Sequence, residues 1–552
     1  MAKIPSSPRS QLLSLAATAA LAPSLTAQAL PAPPIPAGNA ITPAKAVLGK
    51  ILFWEEQMSS NNRVACGTCH KTEIGGGDNR RVPNPGADGN QPSPDDTFGS
   101  PGVPNSRVDN TYEPDTLFGL GEQVTGRASP SFLTGAYFPE LFWDGRARTQ
   151  FVDPETSAIS LPLGGALESQ AVGPVLSDVE MAHDLRTWGE VRNKLRDARP
   201  MALATNVPSD MQAAIAANPS YPLLFTAAFG DAAITAERIA FALATYQRSL
   251  VPDQTLWDQF QRGNTAALTP GQVRGMNAFN GPFRCNQCHA GALFSDRQFR
   301  NLGLRPIAQD LGRQAVTNNL ADRGKFKVPS LRNSGLRGTF MHTGQFTSIG
   351  QVVGFYIGGG GPNQDNKDPL LLPIQPPPPQ GAVADVIDFV TNALTDPRVR
   401  NRQFPFDRPT LASERIPPQG FPYGLGTAGS GGAVPNVLAA IPANIGNVDF
   451  KVGIGAARGS APAVLAVGTA AAPLGTTFAG VNLNIALPEL AQIPIALEGP
   501  AGQAGRGFGT ILFPLPPEPL LVGGTLFVQW FVVDAGALFG AASSRGAELR
   551  FF

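Results

Sequence analysis

Cysteine and histidine are both scarce in this chain, which has four of each among 552 residues. All four cysteines fall in two copies of Cys-x-x-Cys-His, CGTCH at 66–70 and CNQCH at 285–289. A structural zinc site needs four ligands, whereas each copy offers three with no second pair nearby. A redox dithiol would explain the spacing of the thiols but not the histidine that follows them twice. Zinc and dithiol chemistry are therefore both disfavoured.

The chain also lacks a net charge, because 42 Lys and Arg residues balance 42 Asp and Glu residues. It has neither the basic surface that nucleic acid requires nor a polybasic membrane patch, so we expect neither partner. Charged residues make up only 15%, while 61 Gly and 53 Pro residues favour long loops. The length exceeds one ordinary hydrophobic core, so two or three domains are expected.

The two Cys-x-x-Cys-His copies are typical of covalent haem attachment. Two thiols at this spacing can add to the two vinyl groups of one haem, and the adjacent histidine then binds the iron. The sequence therefore predicts two covalently attached c-type haems, with these attachment and proximal residues: Cys66, Cys69 and His70 for the first, and Cys285, Cys288 and His289 for the second.

Residues 1–29 have the features of a secretory signal peptide. Lys3 and Arg9 precede a short apolar stretch, and Ala27-Gln28-Ala29 offers a small-residue cleavage site. Residues 30–46, rich in Pro and Ala, are predicted to be a linker. A periplasmic or exported location agrees with the haem motifs, because bacteria attach c-type haem outside the cytoplasm.

Helical patterns surround both haem motifs. The second motif follows a helix with Thr269 as N-cap and Pro270 at the first helical position. The predicted helices are 47–58, 187–198, 233–250, 268–279 and 385–394. We therefore expect a mainly α chain with two cytochrome c-like haem domains and long loops, at 47–232 and 233–410.

The last 128 residues, 425–552, contain no Cys, His or Met and have short apolar runs separated by Pro and Gly. VDFKVGIG, PAVLAVG, VNLNIAL, GTILFPL and TLFVQWFVVD are predicted strands, so this segment is predicted to be an all-β, sandwich-like accessory domain. The run at 520–542 is long enough to cross a membrane. Gln529, Asp534 and a Gly-Gly break favour paired strands instead, and no membrane span is expected.

The remaining iron ligands are few. Apart from the two motif histidines, the chain has only His183 and His342, and the only methionine after His289 is Met341. The loop 71–126, which follows the first haem motif, contains no histidine and no methionine. A haem that only transfers electrons is usually closed on both sides, whereas one that acts on peroxide keeps an open position. We expect one open haem and one closed haem.

Several motifs stand in order along the chain: LGKILFWEEQMSSNNRVACGTCHK, FWDGRA (142–147), LESQAVGPVLSDVEM (167–181), RCNQCHAG (284–291), KFKVPSLRN (325–333) and FMHTGQFTSIGQVVGFY (340–356). Over about residues 45–400 the sequence thereby resembles the bacterial di-haem cytochrome c peroxidase and MauG family. The resemblance implies a peroxidatic N-terminal haem and a C-terminal haem that exchanges electrons with a partner. It implies that Trp143 relays electrons between the haems and that Glu180 is the distal acid–base. Gln170 and Pro174 match distal-pocket positions of MauG-type members.

The resemblance also implies a distal ligand for the second haem, fourteen residues after His342. That position is Tyr356, where ordinary peroxidases have Met and MauG-type members have Tyr. Met341 and His342 are the alternatives. A phenolate favours oxidised iron, whereas a thioether favours Fe(II), so Tyr356 would let the second haem share oxidising equivalents.

Two departures from the family pattern bear on the site. The loop after the first motif lacks the displaceable histidine of ordinary peroxidases, so the first haem is expected to be open at rest. The family's inter-domain calcium uses an Asn side chain where this chain has Ala128, which argues against calcium although backbone carbonyls could still bind it. His183 is expected to be hydrogen-bonded, or to tune Glu180. Lys327 and Arg332 are candidate partners of haem propionates.

The sequence thus favours an exported di-haem peroxidase that reduces hydrogen peroxide with electrons from a small c-type cytochrome or another donor protein. The rival is a MauG-type oxidase of a protein side chain, acting through a high-valent di-haem state. Dioxygen chemistry of the rubber-oxygenase kind is a more distant alternative. A non-catalytic di-haem electron carrier is the alternative from a different class.

Overall fold

The computed structural model describes residues 30–415, 420 and 422–552. The predicted signal peptide, 1–29, lies outside the described residues. The helices are Pro43–Phe53 (α1), Cys66–Cys69 (α2), Ala166–Ala171 (α3), Trp188–Asp197 (α4), Ser209–Ala217 (α5), Tyr221–Phe229 (α6), Ala236–Ser249 (α7), Leu256–Gln261 (α8), Pro270–Asn280 (α9), Gln314–Thr317 (α10), Ile349–Ile357 (α11), Gln380–Asp388 (α12) and Pro397–Arg400 (α13).

The strands before the C-terminal region are short and belong to hairpins in the long loops. They are Val82–Asn84 (β1), Thr97–Gly99 (β2), Pro101–Pro104 (β3), Glu122–Val124 (β4), Phe151–Val152 (β5), Ile159–Leu161 (β6), Phe299–Arg300 (β7) and Phe326–Lys327 (β8). About 28% of the chain is helical. The expectation of a mainly α chain was therefore too strong, because long loops and the C-terminal sheets take up most of the residues.

The first hydrophobic core is built on α1 and α7, which pack against each other. Thr42 caps α1, accepting a hydrogen bond from the Lys45 amide, and Pro43 starts the helix. The helices approach closely at Gly49, where an added Cβ would lie 1.9 Å from the Ala242 carbonyl oxygen. The sequence predicted that the second haem domain starts at residue 233, which would assign α7 to that domain. The structure instead packs α7 in the first core.

A second core surrounds the second haem motif and is built largely from α9 and α12. Thr269 is the N-cap of α9, as the sequence predicted. It also forms a capping box with Gln272. The predicted helix 385–394 is observed as the end of α12 followed by a π-helical turn, Phe389–Ala393. The predicted helix 187–198 is confirmed as α4, with Thr187 as its cap.

The C-terminal region has two larger antiparallel sheets and a two-stranded one, β13-β14, confirming an all-β segment. Its strands are Pro422–Tyr423 (β9), Asn436–Leu438 (β10), Lys451–Ala457 (β11), Pro462–Gly468 (β12), Thr477–Phe478 (β13), Val481–Asn482 (β14), Ala491–Ala496 (β15), Gly507–Leu512 (β16), Thr525–Val533 (β17) and Ala541–Arg550 (β18). One sheet has the order β15-β12-β17-β18-β9 and the other β10-β11-β16. The two sheets share one core, across which the indole N–H of Trp530 donates to the Gly453 carbonyl at 3.0 Å.

The apolar run at 520–542 forms the strand β17 and the turn after it, as expected from its Gln, Asp and Gly residues. Gln529 is buried and satisfied, because its amide donates to the Asn482 and Ser544 carbonyls and its oxygen accepts from the Asn484 amide. Within the described part of the chain, no helix is both long enough and apolar enough to cross a membrane.

Candidate functional site

The first haem motif opens onto a cavity of about 590 Å³. Cys66 and Cys69 lie on the single turn α2 and line this cavity. Gly67 lets the turn lie flat on the indole of Trp54, since an added Cβ would come within 2.1 Å of that ring. Burial raises the pKa of both thiols to about 12, the opposite of the shift that activates a redox dithiol.

His70 lines the same cavity and its ring is fixed by the backbone. Its Nδ1 lies 3.2 Å from the Gly76 carbonyl oxygen, a contact that suits an Nδ1–H donor. Metal-binding histidines are commonly held in this way, which leaves Nε2 as the atom available to a metal. Burial lowers the pKa of His70, which favours the neutral imidazole that binds iron. Thiols, histidine and cavity together fit a c-type haem.

The side chains expected on the distal side line the same cavity. Gln170 lies at the end of α3, Pro174 begins a 3-10 turn, and Glu180 follows that turn. Burial raises the pKa of Glu180, and the positive charge of Arg146, another residue of the cavity wall, opposes part of the rise. The structure thus brings together all the residues that the resemblance assigned to this pocket.

The second haem motif opens onto a separate cavity of about 200 Å³, which Cys285, Cys288 and His289 line. The Nδ1 of His289 lies 2.9 Å from the Phe294 carbonyl oxygen, repeating the arrangement at His70. Burial lowers the pKa of His289 and raises the pKa of Cys285 to about 12. This donor set also fits a c-type haem.

Three side chains offered as distal ligands of the second haem all line this second cavity: Tyr356, Met341 and His342. Burial raises the pKa of Tyr356, and the neighbouring thiols raise it further. His342 stacks on Phe326, with ring centroids 3.5 Å apart, and its Nε2 has no hydrogen-bond partner in the described residues. Burial lowers the pKa of His342 to about 3, so it is uncharged at neutral pH. The geometry alone leaves these three alternatives open.

Trp143 lines both cavities. Its indole N–H donates to the Ala128 carbonyl at 2.7 Å, and its ring centroid lies 6.3 Å from that of His342. The Ala128 amide in turn donates to the His342 carbonyl at 2.8 Å. Trp143 therefore stands between the two haem cavities and is fixed there by hydrogen bonds.

Trp143 and His342 occupy equivalent places in two similar turns, which the sequence reasoning missed. Residues 141–147 and 340–346 each close with an antiparallel bridge between their first and last residues. Phe142 and Met341, just before the two rings, both have positive φ, 63° and 64°. The signal was the likeness of LFWDGRA to FMHTGQF, an internal repeat that also brings the two aromatic rings together.

Arg127, next to the Ala128 at which the family's calcium would use an Asn side chain, is paired with two carboxylates. The Arg127 guanidinium binds Asp310 through two hydrogen bonds of 2.8 and 2.6 Å and Asp144 through one of 2.6 Å. The Ala128 carbonyl, a potential calcium ligand, accepts from Trp143 instead. No group of three or more His, Cys, Asp or Glu side chains suited to a metal ion occurs in residues 30–415, 420 and 422–552. The paired carboxylates and Ala128 argue against calcium, as the sequence does.

Of the other three side chains considered from the sequence, two do not line either cavity and one lines both. His183 is buried with its Nε2 3.4 Å from Glu190, so its polar contact is with α4 rather than with Glu180. Arg332 was a candidate for a haem propionate, but it forms a fully buried ion pair with Asp258, with two contacts of 2.8 Å. Lys327 does line both cavities, and burial lowers its pKa to about 7.

Comparisons with known proteins agree with this geometry. Residues 43–266 match the sequence profile of the family described as di-haem cytochrome c peroxidase. The methylamine utilization protein MauG of Methylophilus methylotrophus is 29% identical over 327 residues, covering 58% of this chain and 75% of that protein. The cytochrome-c peroxidase IdrP1 of Pseudomonas sp. (strain SCT) is 27% identical over 421 residues, covering 70% and 89%.

Among solved structures, a MauG-like protein associated with microbial copper homeostasis aligns with a TM-score of 0.48 and 22% identity, covering 69% of this chain and 97% of that one. The family implies two c-type haems, and its named relatives are oxidoreductases. The profile match and the curated relatives together show that this chain is similar to the di-haem cytochrome c peroxidase and MauG family and is an oxidoreductase.

Proposed function

We propose that this protein is an exported peroxidase that reduces hydrogen peroxide in the first cavity, with electrons that enter through the second. The observation that carries the proposal is the asymmetry of the two cavities around Trp143. The wall of the first cavity holds Gln170, Pro174 and Glu180, which are not iron ligands of the usual kinds, together with the buried Met181. The second faces His289 with Tyr356, which can close the iron.

The reaction takes one hydrogen peroxide, two electrons and two protons and gives two waters. A haem held by Cys66, Cys69 and His70 would supply redox-active iron for the reduction of peroxide. Glu180 takes the proton from the near oxygen and returns it to the far oxygen, which leaves as water. A buried carboxyl with a raised pKa suits this exchange, because it accepts a proton more readily than an ordinary exposed carboxylate.

Trp143 serves as the relay between the two haems in this proposal. It lines both cavities, and its fixed N–H bond to Ala128 holds the ring in one orientation. Electrons come from a small c-type cytochrome or another donor protein that docks near the second haem. Export through the predicted signal peptide, with covalent attachment of both haems by their Cys pairs, completes the proposal.

The test is the substitution Glu180→Gln, which keeps the shape of the side chain and removes its acid–base function. Peroxide turnover is expected to fall by about 10²–10⁴-fold, the range of general acid–base catalysis. Glu190→Gln is the matched control, because its side chain caps α4 and a glutamine does this equally well. Both variants should contain two haems. Unchanged turnover in Glu180→Gln would remove Glu180 from the mechanism.

A MauG-type oxidase is the second candidate, and Tyr356 is the observation that favours it. A phenolate ligand stabilises oxidised iron, so the second haem would share oxidising equivalents rather than wait as a ferrous donor. The two candidates differ when peroxide is added with a candidate protein substrate and no electron donor. The oxidase then produces oxidised side chains, detectable by mass spectrometry, whereas the peroxidase consumes peroxide only when a donor is supplied.

A further inference from the structure

The C-terminal β-domain is attached through buried contacts to the 105–112 loop, which follows strand β3. Lys451, on β11, is 1% exposed, and its ammonium donates to the carbonyl and side-chain oxygens of Asn110 and to the hydroxyl of Ser106. It has no carboxylate partner within 4.0 Å in the described residues. Burial lowers the pKa of Lys451 to about 7, against the opposing effect of Asp449 and Asp109, so burying this side chain costs stability. Its hydrogen bonds to Ser106 and Asn110 fix one arrangement of this loop.

Two further contacts clamp the same region. The Tyr112 amide donates to the hydroxyl of Thr510, on β16, at 3.0 Å. Asp449, just before β11, binds the ammonium of Lys194 at 2.5 Å, and that ammonium also donates to the Ser59 carbonyl at 2.7 Å. The β-domain therefore holds both the 105–112 loop and the 59–60 segment.

These two held segments in turn support the backbone around Glu180. The Asp184 amide donates to the Ser106 carbonyl at 2.8 Å, and the Ser60 amide donates to the Met181 carbonyl at 2.9 Å. Strand β3, which leads into the held loop, lies directly against Glu180. At Gly102 of that strand an added Cβ would be 2.0 Å from the Val179 carbonyl oxygen and 2.8 Å from the Cα of Glu180.

We propose that the β-domain is a positioning element of the peroxide site, with Lys451 and Thr510 as the residues that fix the Glu180 segment through the 105–112 loop. The inference rests on the proposed role of Glu180. A domain that only bound a partner or tethered the protein would not need a buried, unpaired ammonium against this loop. The exposed ion pair of Arg107 and Glu498, at 2.6 Å on the rim, is the kind of contact a loose tether would have.

The experiment compares Lys451→Met, Thr510→Val and the rim control Glu498→Gln in the full haem-loaded chain. Hydrogen–deuterium exchange of the peptide covering 177–184 is the first readout, because it reports the Asp184 amide without relying on activity. The rate of the resting enzyme with hydrogen peroxide is the second, and reduction of the second haem by dithionite is the third. Haem content checks that each variant folds.

Exchange in 177–184 is expected to speed up in Lys451→Met and Thr510→Val, and the peroxide rate to fall by about tenfold or more, since small displacements of a reacting group are costly. Reduction of the second haem should not change, and Glu498→Gln should match the wild type. Thr510→Val is the milder change and must show the same pattern if Lys451→Met folds poorly. Wild-type exchange, or a wild-type peroxide rate, in Thr510→Val overturns the proposal. If Glu180→Gln alone leaves the peroxide rate unchanged, the proposed function fails instead, while the exchange data still decide whether the β-domain holds this segment.

Discussion

Replacing Arg127 with methionine tests the structural account of the junction between the haem cavities. The guanidinium of Arg127 binds both Asp144, which is next to Trp143, and Asp310. Asp310 lies 183 residues after Arg127 in the chain. Methionine keeps most of the side chain's length and removes the charge. Asp310 then loses both of its hydrogen bonds from Arg127, while Asp144 keeps Arg146 as a partner at 3.0 Å.

The size of the effect follows from burial. Exposed ion pairs contribute about 0–1 kcal/mol, whereas breaking a fully buried pair costs about 3–5 kcal/mol. The side chains of Arg127, Asp144 and Asp310 are 22%, 7% and 15% exposed, which places the cluster between these cases. Because Asp144 keeps a second partner, we expect Arg127→Met to lower the free energy of unfolding by about 2–3 kcal/mol.

The pH dependence of this loss has a definite sign. Burial alone would raise the pKa of Asp310, but its bonds to Arg127 outweigh burial and the net pKa is lowered. The pKa of Asp144 is also lowered, by Arg146 and Arg127 against the effect of burial. The ion pairs therefore contribute fully above the unfolded value of about 4, and their contribution disappears as the pH falls through the lower folded values.

The assay is urea unfolding followed by haem absorbance at pH 7 and about pH 3, with Arg148→Met as a control at a nearby exposed arginine. The difference between wild type and Arg127→Met should be smaller at pH 3 than at pH 7. Equal differences at both pH values would refute the ion-pair explanation. Treatment with a calcium chelator should not alter the wild-type midpoint, and a chelator-sensitive midpoint would show that a bound cation stabilises the fold.

Two other substitutions separate the roles of the two cavities. Tyr356→Phe should change the spectrum of the second haem alone, and an unchanged spectrum would point to Met341 or His342 as the ligand. Trp143→Phe should leave both haems attached and slow electron transfer between them at least tenfold. Stopped-flow absorbance after mixing with an electron donor measures this rate. Transfer at the wild-type rate would show that the indole is not the relay.

Local features of the sequence predicted the chemistry of each half well. The Cys-x-x-Cys-His spacing identified the residues that meet in each cavity, and Thr269 with Pro270 marked the start of α9 because caps depend on adjacent residues. The strands PAVLAVG and TLFVQWFVVD are confirmed as β12 and β17, since apolar and β-branched residues dominate them. Of the predicted strand VNLNIAL, only Val481–Asn482 forms a strand, β14. The later residues of this segment lie in a loop.

Features set by distant parts of the chain were not predictable in this way. Strand β18, AASSRGAELR, was missed because it has small and polar residues where a strand usually shows β-branched ones, and it is fixed by pairing with β17. The ion pair of Arg127 with Asp310 and the contact of Lys451 with Asn110 join segments far apart in sequence. No local pattern records such pairings, and both lie where the function is proposed.

The central claim is that the two cavities hold haems in different states, the first open and the second closed. Low-temperature electron paramagnetic resonance of the resting ferric protein tests it most directly. One high-spin and one low-spin haem signal are expected, with the high-spin signal lost when hydrogen peroxide is added. Two low-spin signals that do not respond to peroxide would contradict the account and favour a di-haem electron carrier.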